Sequence, residues 1–264
     1  MVLTREDMSS DLFDLSGRTA VVIGGSGVLG SAMAMALAAH GADIALAGRD
    51  GGRLVDARAR IAAGGARTLT VCADATVADD LRRALSEILA WSGHVDILVN
   101  AAGINSTTPF ADITETEWNA IMDVNVKSVV LACQIFGQHM VEKGAGGSVI
   151  NMSSVSSGPP LSRVLTYSAS KAAVNSVTQF LAREWAPHGV RVNAIIPGFF
   201  PAMQNRAILT SERTEAILRH TPLGRFGDPV ELGGAVVWLA SERASGFVTG
   251  ALIHVDGGFT AMTI

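Results

Sequence analysis

Tyr167 and Lys171 are the pair in this chain whose types and spacing suit acid–base chemistry. Tyr167 is the only tyrosine, and Lys171 follows it at i+4. The residues between them are small and helix-compatible, and helical periodicity continues from Ala172 to Trp185. On a helix, i and i+4 share a face, so phenol and ammonium point into the same space. A phenol titrates near ~10 and a lysine near ~10.4, so neither alone exchanges protons well at neutrality. A nearby ammonium favours the phenolate and is expected to lower the phenol pKa by roughly 1–3 units, making Tyr167 a general acid/base. A bare Y-x-x-x-K is more often a surface tyrosine beside an ordinary lysine. The elements around it decide between the two.

Those elements alternate. Arg18 to Gly24 is an apolar run suited to a parallel strand buried on both faces. Gly24-Gly25-Ser26-Gly27-Val28-Leu29-Gly30 follows, then a helix from Ser31 to His40. Strand, glycine-rich turn and helix give the G-x-G-x-x-G match at Gly25, Gly27 and Gly30 its meaning. Glycines let the backbone come close, and the helix N-terminus receives a pyrophosphate, with Gly24, Ser26, Gly27, Leu29 and Gly30 as the expected contacts. The second strand, Ala42 to Ala47, is followed by Gly48-Arg49, with no acid where a ribose 2′-hydroxyl is usually met. Arg49, helped by Arg53, favours NADP(H), with NAD(H) as the alternative. Asp50 just beyond tempers that reading.

Further strands are expected at Thr68–Cys72, Val95–Val99, Gly147–Met152, Val190–Ile196 and Ala251–Val255. Helices are expected at Leu54–Ala63, Val77–Trp91, Thr114–Glu142 and from Asp228 to Ala240, where Asp-Pro suits N-cap and N1. Residues 1–14 read as a loose lead-in, and 199–227 as a substrate loop with short helical pieces. Asp74 at the end of the third strand either meets an adenine amino group or caps the next helix. Asn100-Ala101-Ala102-Gly103 ends the fourth strand with small residues that leave room for a ligand. The order predicts an α/β fold, a single domain over 1–264 built on one doubly wound, Rossmann-like parallel sheet with helices on both faces and a ligand over the strands' C-terminal edge.

Composition narrows the partners. A net charge of -4 and a pI near 5.8 argue against nucleic acid or an anionic membrane. Cys72 and Cys133 read as buried thiols in a reducing cytoplasm. No His, Cys or carboxylate cluster has metal-ligand spacing. No 18-residue apolar span lacks charges, so no membrane crossing is expected, and the first 16 residues do not resemble a secretory signal.

From about Leu15 to Phe259 the chain resembles the short-chain dehydrogenase/reductase family in its compact form. The marks are Asn100-Ala101-Ala102-Gly103, Asn125, Ser154 thirteen residues before Tyr167, Tyr167 with Lys171, Pro197-Gly198 and Asp256-Gly257-Gly258. The resemblance implies seven strands in the order 3-2-1-4-5-6-7 and a homotetramer. It implies Tyr167 as general acid/base, Ser154 on the substrate carbonyl, Lys171 on the nicotinamide ribose, and Asn125 anchoring a water that links Lys171 to solvent. Asn100, Ala101, Gly103, Pro197 and Gly198 join the cofactor contacts. Two departures stand out: Ile23 and Val28 replace the usual threonine and middle glycine of the phosphate loop, and Ala202 replaces a threonine that often contacts the nicotinamide amide.

Phe199-Phe200, Gln204-Asn205-Arg206 and the 220–226 segment are similar to a sugar-acid (mannonate- or fructuronate-type) subgroup. Arg163, Phe200, Gln204, Asn205 and Arg206 are the expected substrate contacts, their amides and guanidinium groups suiting hydroxyls and a carboxylate. A small-molecule carbonyl or secondary alcohol is therefore the expected substrate. A 3-oxoacyl-thioester reductase is the competing enzyme, and a non-catalytic dinucleotide-binding sensor or scaffold the competing class.

Overall fold

The computed structural model describes residues 10–200 and 210–262. Seven parallel strands form one sheet: β1 (Thr19–Ile23), β2 (Asp43–Gly48), β3 (Thr68–Cys72), β4 (Ile97–Asn100), β5 (Gly147–Met152), β6 (Val190–Pro197) and β7 (Leu252–Val255). Their order is β3-β2-β1-β4-β5-β6-β7, as the resemblance implied. The central strands are buried on both faces because helices cover each. On one face Ala20, Val22, Ile44 and Ile97 meet α1 (Val28–Ala39), α2 (Gly51–Ala62) and α7 (Gly233–Ala240). On the other, Val21, Ile23, Leu98 and Val149 meet α3 (Ala78–Ser92), α4 (Glu115–Lys143) and α5 (Leu165–Trp185). Alternation along β1 thus feeds two cores at once.

The helix α4 has the length and mean hydropathy of a membrane span. Its apolar residues Val129, Ala132, Phe136 and Met140 are buried against the sheet side, which accounts for that hydropathy. It contains two π turns, Asp123–Lys127 and Cys133–Gly137, the first holding Asn125. Such turns locally re-aim side chains and recur at functional sites.

Several boundaries differ from expectation for identifiable reasons. The helix α1 begins at Val28 rather than Ser31, with Gly27 as its N-cap, so the last phosphate-loop glycine already lies inside the helix. The lead-in is anchored over its described part: Leu12 O accepts from Ser241 Oγ and Leu15 N donates to His40 O (2.8 Å), so that part is docked, not loose, while residues 1–9 lie outside the described residues. Residues 211–220, expected as a loop with short helical pieces, form a regular ten-residue helix, α6 (Ser211–His220), capped by Thr210. Asp228 does cap, but on a 3₁₀ turn, Pro229–Leu232, that leads into α7. Cys133 is buried as expected; Cys72 is exposed, because β3 is the outermost strand and Cys72 its last residue.

Candidate active site

The C-terminal ends of β1, β2, β4, β5 and β6 open into one cleft of about 510 Å³. It is lined along one arm by Gly24, Ser26, Gly27, Leu29, Gly30, Arg49 and Asp74, and in the other by Ala101, Gly103, Asn105, Tyr167, Lys171 and Pro197. The groups picked out for a cofactor and those picked out for chemistry therefore share one space.

The glycine loop owes its shape to contact, not only to dihedral freedom. Gly24 has φ +80, and a Cβ there would lie 2.6 Å from Ala102 N. A Cβ on Gly30 would lie 2.4 Å from Gly24 O. Loop, helix start and β4 end thus approach closer than any side chain permits. The α1 N-terminus has no side-chain cap and no acid in its first turn, so its free N–H groups and partial positive charge face the cleft. Val28 stands at N1 on the surface of that turn, and the glycine contacts are made without it. This cradle fits a dinucleotide pyrophosphate.

At the far end of that arm, Arg49 Nη1 lies 4.0 Å from Asp74 Oδ2, with both side chains partly exposed. Arg53 Nη2 donates to Ser26 O (3.3 Å) and Arg60 Nη2 to Ser31 Oγ (3.4 Å). Asp50 is committed elsewhere, its Oδ1 accepting from Arg53 N (3.0 Å) as the N-cap of α2. The acid that tempered the cofactor reading is a helix cap. Asp74 closes a turn on Thr76 N and Thr76 Oγ1 (2.9 and 2.7 Å). Around Gly48 there is space: a Cβ would meet nothing closer than Ser26 Oγ at 3.6 Å. Arg60 was missed in the sequence; it lies seven residues after Arg53, on the same helix face, and that spacing is the signal that finds it.

The chemical end is built by β5 and α5. Ser154 Oγ accepts from Ser156 N (3.2 Å) and Ser156 Oγ (3.0 Å), which leaves its own proton free to donate. Burial pushes the Tyr167 phenol above its ordinary value, and the Ser154 hydroxyl opposes that shift. Lys171 is 3% exposed and donates from Nζ to Met152 O, the last residue of β5 (2.8 Å). Desolvation brings its pKa down to about 8. This corrects the expectation for the pair. The shared helix face is real, with Nζ 5.7 Å from the Tyr167 ring centroid. Yet Lys171 is turned onto a strand carbonyl, and burial, not the ammonium, dominates the phenol's pKa.

Asn125 is fully buried. Its Oδ1 accepts from Ile104 N (2.8 Å), and its Nδ2 donates to Ile104 O and Ser170 Oγ (both 2.9 Å). Ser170 Oγ in turn donates to Tyr167 O (2.6 Å). Both amide protons are used by protein, so the side chain ties α4 to α5 and to the loop after β4.

Several expected contacts are not among the residues that line the cleft, Asn100, Gly198, Phe200 and Arg163 among them. Asn100 is buried, with Nδ2 on Asn151 Oδ1 (2.9 Å), in a chain that continues from Asn151 to Thr178. Gly198 allows β6 to approach the Asp256 turn, where a Cβ would lie 2.7 Å from Asp256 Cα. Phe200 is 5% exposed and packs in the α1–α7 core, with Gly227 leaving room for its ring. A buried core ring is not a substrate contact, which corrects that expectation. Arg163 is exposed and carries φ +64, a left-handed backbone unusual for a side-chain-bearing residue, four positions before Tyr167. Gln204, Asn205, Arg206 and Ala202 lie outside the described residues.

Comparison with known proteins agrees with this geometry. A family model described as enoyl-(acyl carrier protein) reductase matches residues 25–260. Gluconate 5-dehydrogenase of Gluconobacter oxydans is 37% identical over 95% of this chain and 97% of that protein. The 2-dehydro-3-deoxy-D-gluconate 5-dehydrogenase of Escherichia coli is 38% identical over 94% of this chain and 98% of that protein. The crystal structure of a gluconate 5-dehydrogenase from Burkholderia cenocepacia in complex with NADP and tartrate superposes with a TM-score of 0.91 at 34% identity, covering 96% of this chain and 99% of the other. With fold, glycine cradle and the Ser154, Tyr167 and Lys171 cluster in place, the chain belongs to the short-chain dehydrogenase/reductase family and is an NAD(P)-dependent oxidoreductase acting on CH–OH groups.

Proposed function

We propose that the chain is an NADP(H)-preferring oxidoreductase that interconverts a ketone and a secondary alcohol on a sugar acid of the gluconate kind. The observation that carries this is the single cleft joining the Arg49 end to Tyr167 and Lys171. The names of the similar gluconate dehydrogenases supply the substrate class. When bound, the nicotinamide supplies or accepts the hydride. Gly24, Ser26, Gly27, Leu29 and Gly30 hold the pyrophosphate. Arg49 with Arg53 and Arg60 receives the 2′-phosphate. Ala101, Gly103 and Pro197 wall the nicotinamide half. Ser154 Oγ donates to the substrate carbonyl oxygen, and Tyr167 Oη gives that oxygen its proton in reduction and takes it back in oxidation. Lys171 serves the ribose hydroxyls and, moved off Met152 O, favours the phenolate. Arg163, exposed four positions before Tyr167, is the proposed partner of the substrate carboxylate.

A second reading, a 3-oxoacyl-thioester reductase, draws on the description of the matching family model. Purified protein with NADPH and a panel of 5-keto sugar acids and acetoacetyl thioesters separates the two. Turnover of the sugar acids is expected, and turnover of thioesters alone would overturn the substrate assignment.

The protein is further proposed to be a cytoplasmic homotetramer, working on a small molecule without nucleic acid or membrane. Its acidic charge supports the last point. Two unpaired thiols, Cys72 and Cys133, suit a reducing compartment. On α5, Val174 and Trp185 are buried on the sheet while Phe180 is 62% and Leu165 46% exposed, an apolar face that a second copy would cover. Light scattering at micromolar concentration is expected to give four times the chain mass; a monomer would refute it. Cell fractionation outside the cytoplasm would contradict the location.

Tyr167→Phe is expected to keep the fold and NADPH affinity while lowering kcat by ~10²–10⁴, the usual worth of a positioned acid. Undiminished turnover would remove Tyr167 from the mechanism. Arg49→Ala is expected to weaken NADPH binding by roughly 10- to 150-fold, the equivalent of ~1.5–3 kcal/mol for a charge-assisted contact, and to leave NADH nearly untouched. Gly48→Asp, for which there is room, is expected to move preference toward NADH by adding an acceptor for the hydroxyl and a charge against the phosphate. A wild-type preference for NADH in kcat/KM at fixed ionic strength would contradict both.

A further inference from the structure

We propose that Glu117 is a positioning residue that sets the substrate-side wall of the cleft and presents Asn105 to the substrate's hydroxyl groups. The segment after β4, Ile104-Asn105-Ser106-Thr107-Thr108, has no regular structure of its own, and Ile104 and Asn105 line the cleft beside Tyr167 and Lys171. Such a loop keeps its shape only through side-chain attachments. Asn125 holds it at Ile104. Glu117 holds the rest: Ser106 Oγ donates to Oε1 (2.6 Å) and Thr108 Oγ1 donates to Oε2 (2.8 Å). Both bonds are short and charge-assisted, and each carboxylate oxygen takes one hydroxyl.

The position of this acid makes the arrangement informative. Glu117 is N3 of α4 after the N-cap Thr114, whose Oγ1 accepts from Glu117 N (3.1 Å). The sequence T-x-x-E ordinarily returns the acid to the cap's own N–H. That closure is made at Asp228-Pro229-Val230-Glu231, where Glu231 Oε2 accepts from Asp228 N (2.7 Å). In α4 the carboxylate is instead spent on the loop. The Ser106 and Thr108 hydroxyl protons are thereby committed to Glu117 and turned from the substrate. Asn105, between the two attachment points, is exposed in the cleft wall and has no side-chain hydrogen bond among the described residues. A free amide offers two donors and an acceptor, which matches the vicinal hydroxyls of a polyhydroxy acid. This inference rests on the sugar-acid reading of the same cleft.

The test is a double-mutant cycle on Glu117→Ala and Asn105→Ala, with Glu117→Gln as the conservative variant. Each alanine variant is expected to raise the KM of the keto sugar acid about 10- to 100-fold, as loss of one or two polar contacts does, with kcat and the NADPH Kd near wild type. Glu117→Gln, with one accepting oxygen, is expected between wild type and Glu117→Ala. The two alanine effects are expected to be strongly non-additive, because Glu117 acts through Asn105. Additive effects, or a parallel loss of NADPH affinity and Tm with no change specific to KM, would overturn the positioning role. If the wild type turns over another ketone instead, the cycle is run on that ketone: coupling there supports Glu117 and rejects the sugar acid. A readout independent of turnover is amide hydrogen exchange. In Glu117→Ala, exchange at residues 104–108 is expected to rise about tenfold or more while β4 stays as in wild type, and unchanged loop exchange would overturn the proposal.

Discussion

An ammonium group taken almost wholly out of water, Lys171 against the carbonyl of Met152, is the constraint around which the chemical end of this protein is arranged. Holding it protonated at pH 7 with a pKa near 8 instead of 10.5 costs about 3 kcal/mol. The sign is unfavourable to folding below pH 8, and the cost fades as pH rises toward 10.5, where the unfolded chain's lysine also loses its proton. A fold retains such a group only if the rest of the core offsets it. Here the offset comes from a seven-strand sheet with two cores, and the beneficiary is the one place where β5, α4 and α5 meet.

The sheet order puts that place beside the glycine loop. Because β1 and β4 are neighbours at the centre, the crossover from one half of the sheet to the other leaves a crevice over their C-terminal ends. Gly24 and Gly30 let the loop sink onto Ala102, so the cradle and the Tyr167 cluster border one cleft. Buried amides brace the same region from behind. Asn100, Asn151 and Thr178 link β4, β5 and α5, and Asn125 links α4, α5 and the loop after β4. Catalytic geometry in this protein is therefore a property of strand order and helix docking more than of any one loop.

Much of this was legible in the sequence because it is local. The i+4 spacing of Tyr167 and Lys171, the apolar run before Gly24 and the strand limits at Thr68–Cys72 and Gly147–Met152 depend on near neighbours alone. What escaped depends on distant ones. Phe200 sits in a stretch that reads as a substrate loop, and only the approach of Gly227 shows that its ring enters the core. Cys72 is apolar in context but ends an outer strand. Asp50 reads as a threat to phosphate binding until its bond to Arg53 N shows it to be a cap. The pKa of Tyr167 is the sharpest case: spacing announces an ammonium nearby, while burial and the Met152 carbonyl decide its effect.

Tyr167 is the only tyrosine in the chain, so its ionisation can be followed without ambiguity by carbon-13 resonance of labelled tyrosine. The account predicts that the unliganded protein titrates this phenol above its ordinary value of ~10, because desolvation dominates. Saturation with NADP⁺ is predicted to bring the midpoint down, as Lys171 leaves Met152 O and positive charge gathers beside the phenol. A phenol already depressed in the unliganded protein, or one whose midpoint ignores NADP⁺, would contradict the claim that cofactor binding turns this pair into a working acid–base.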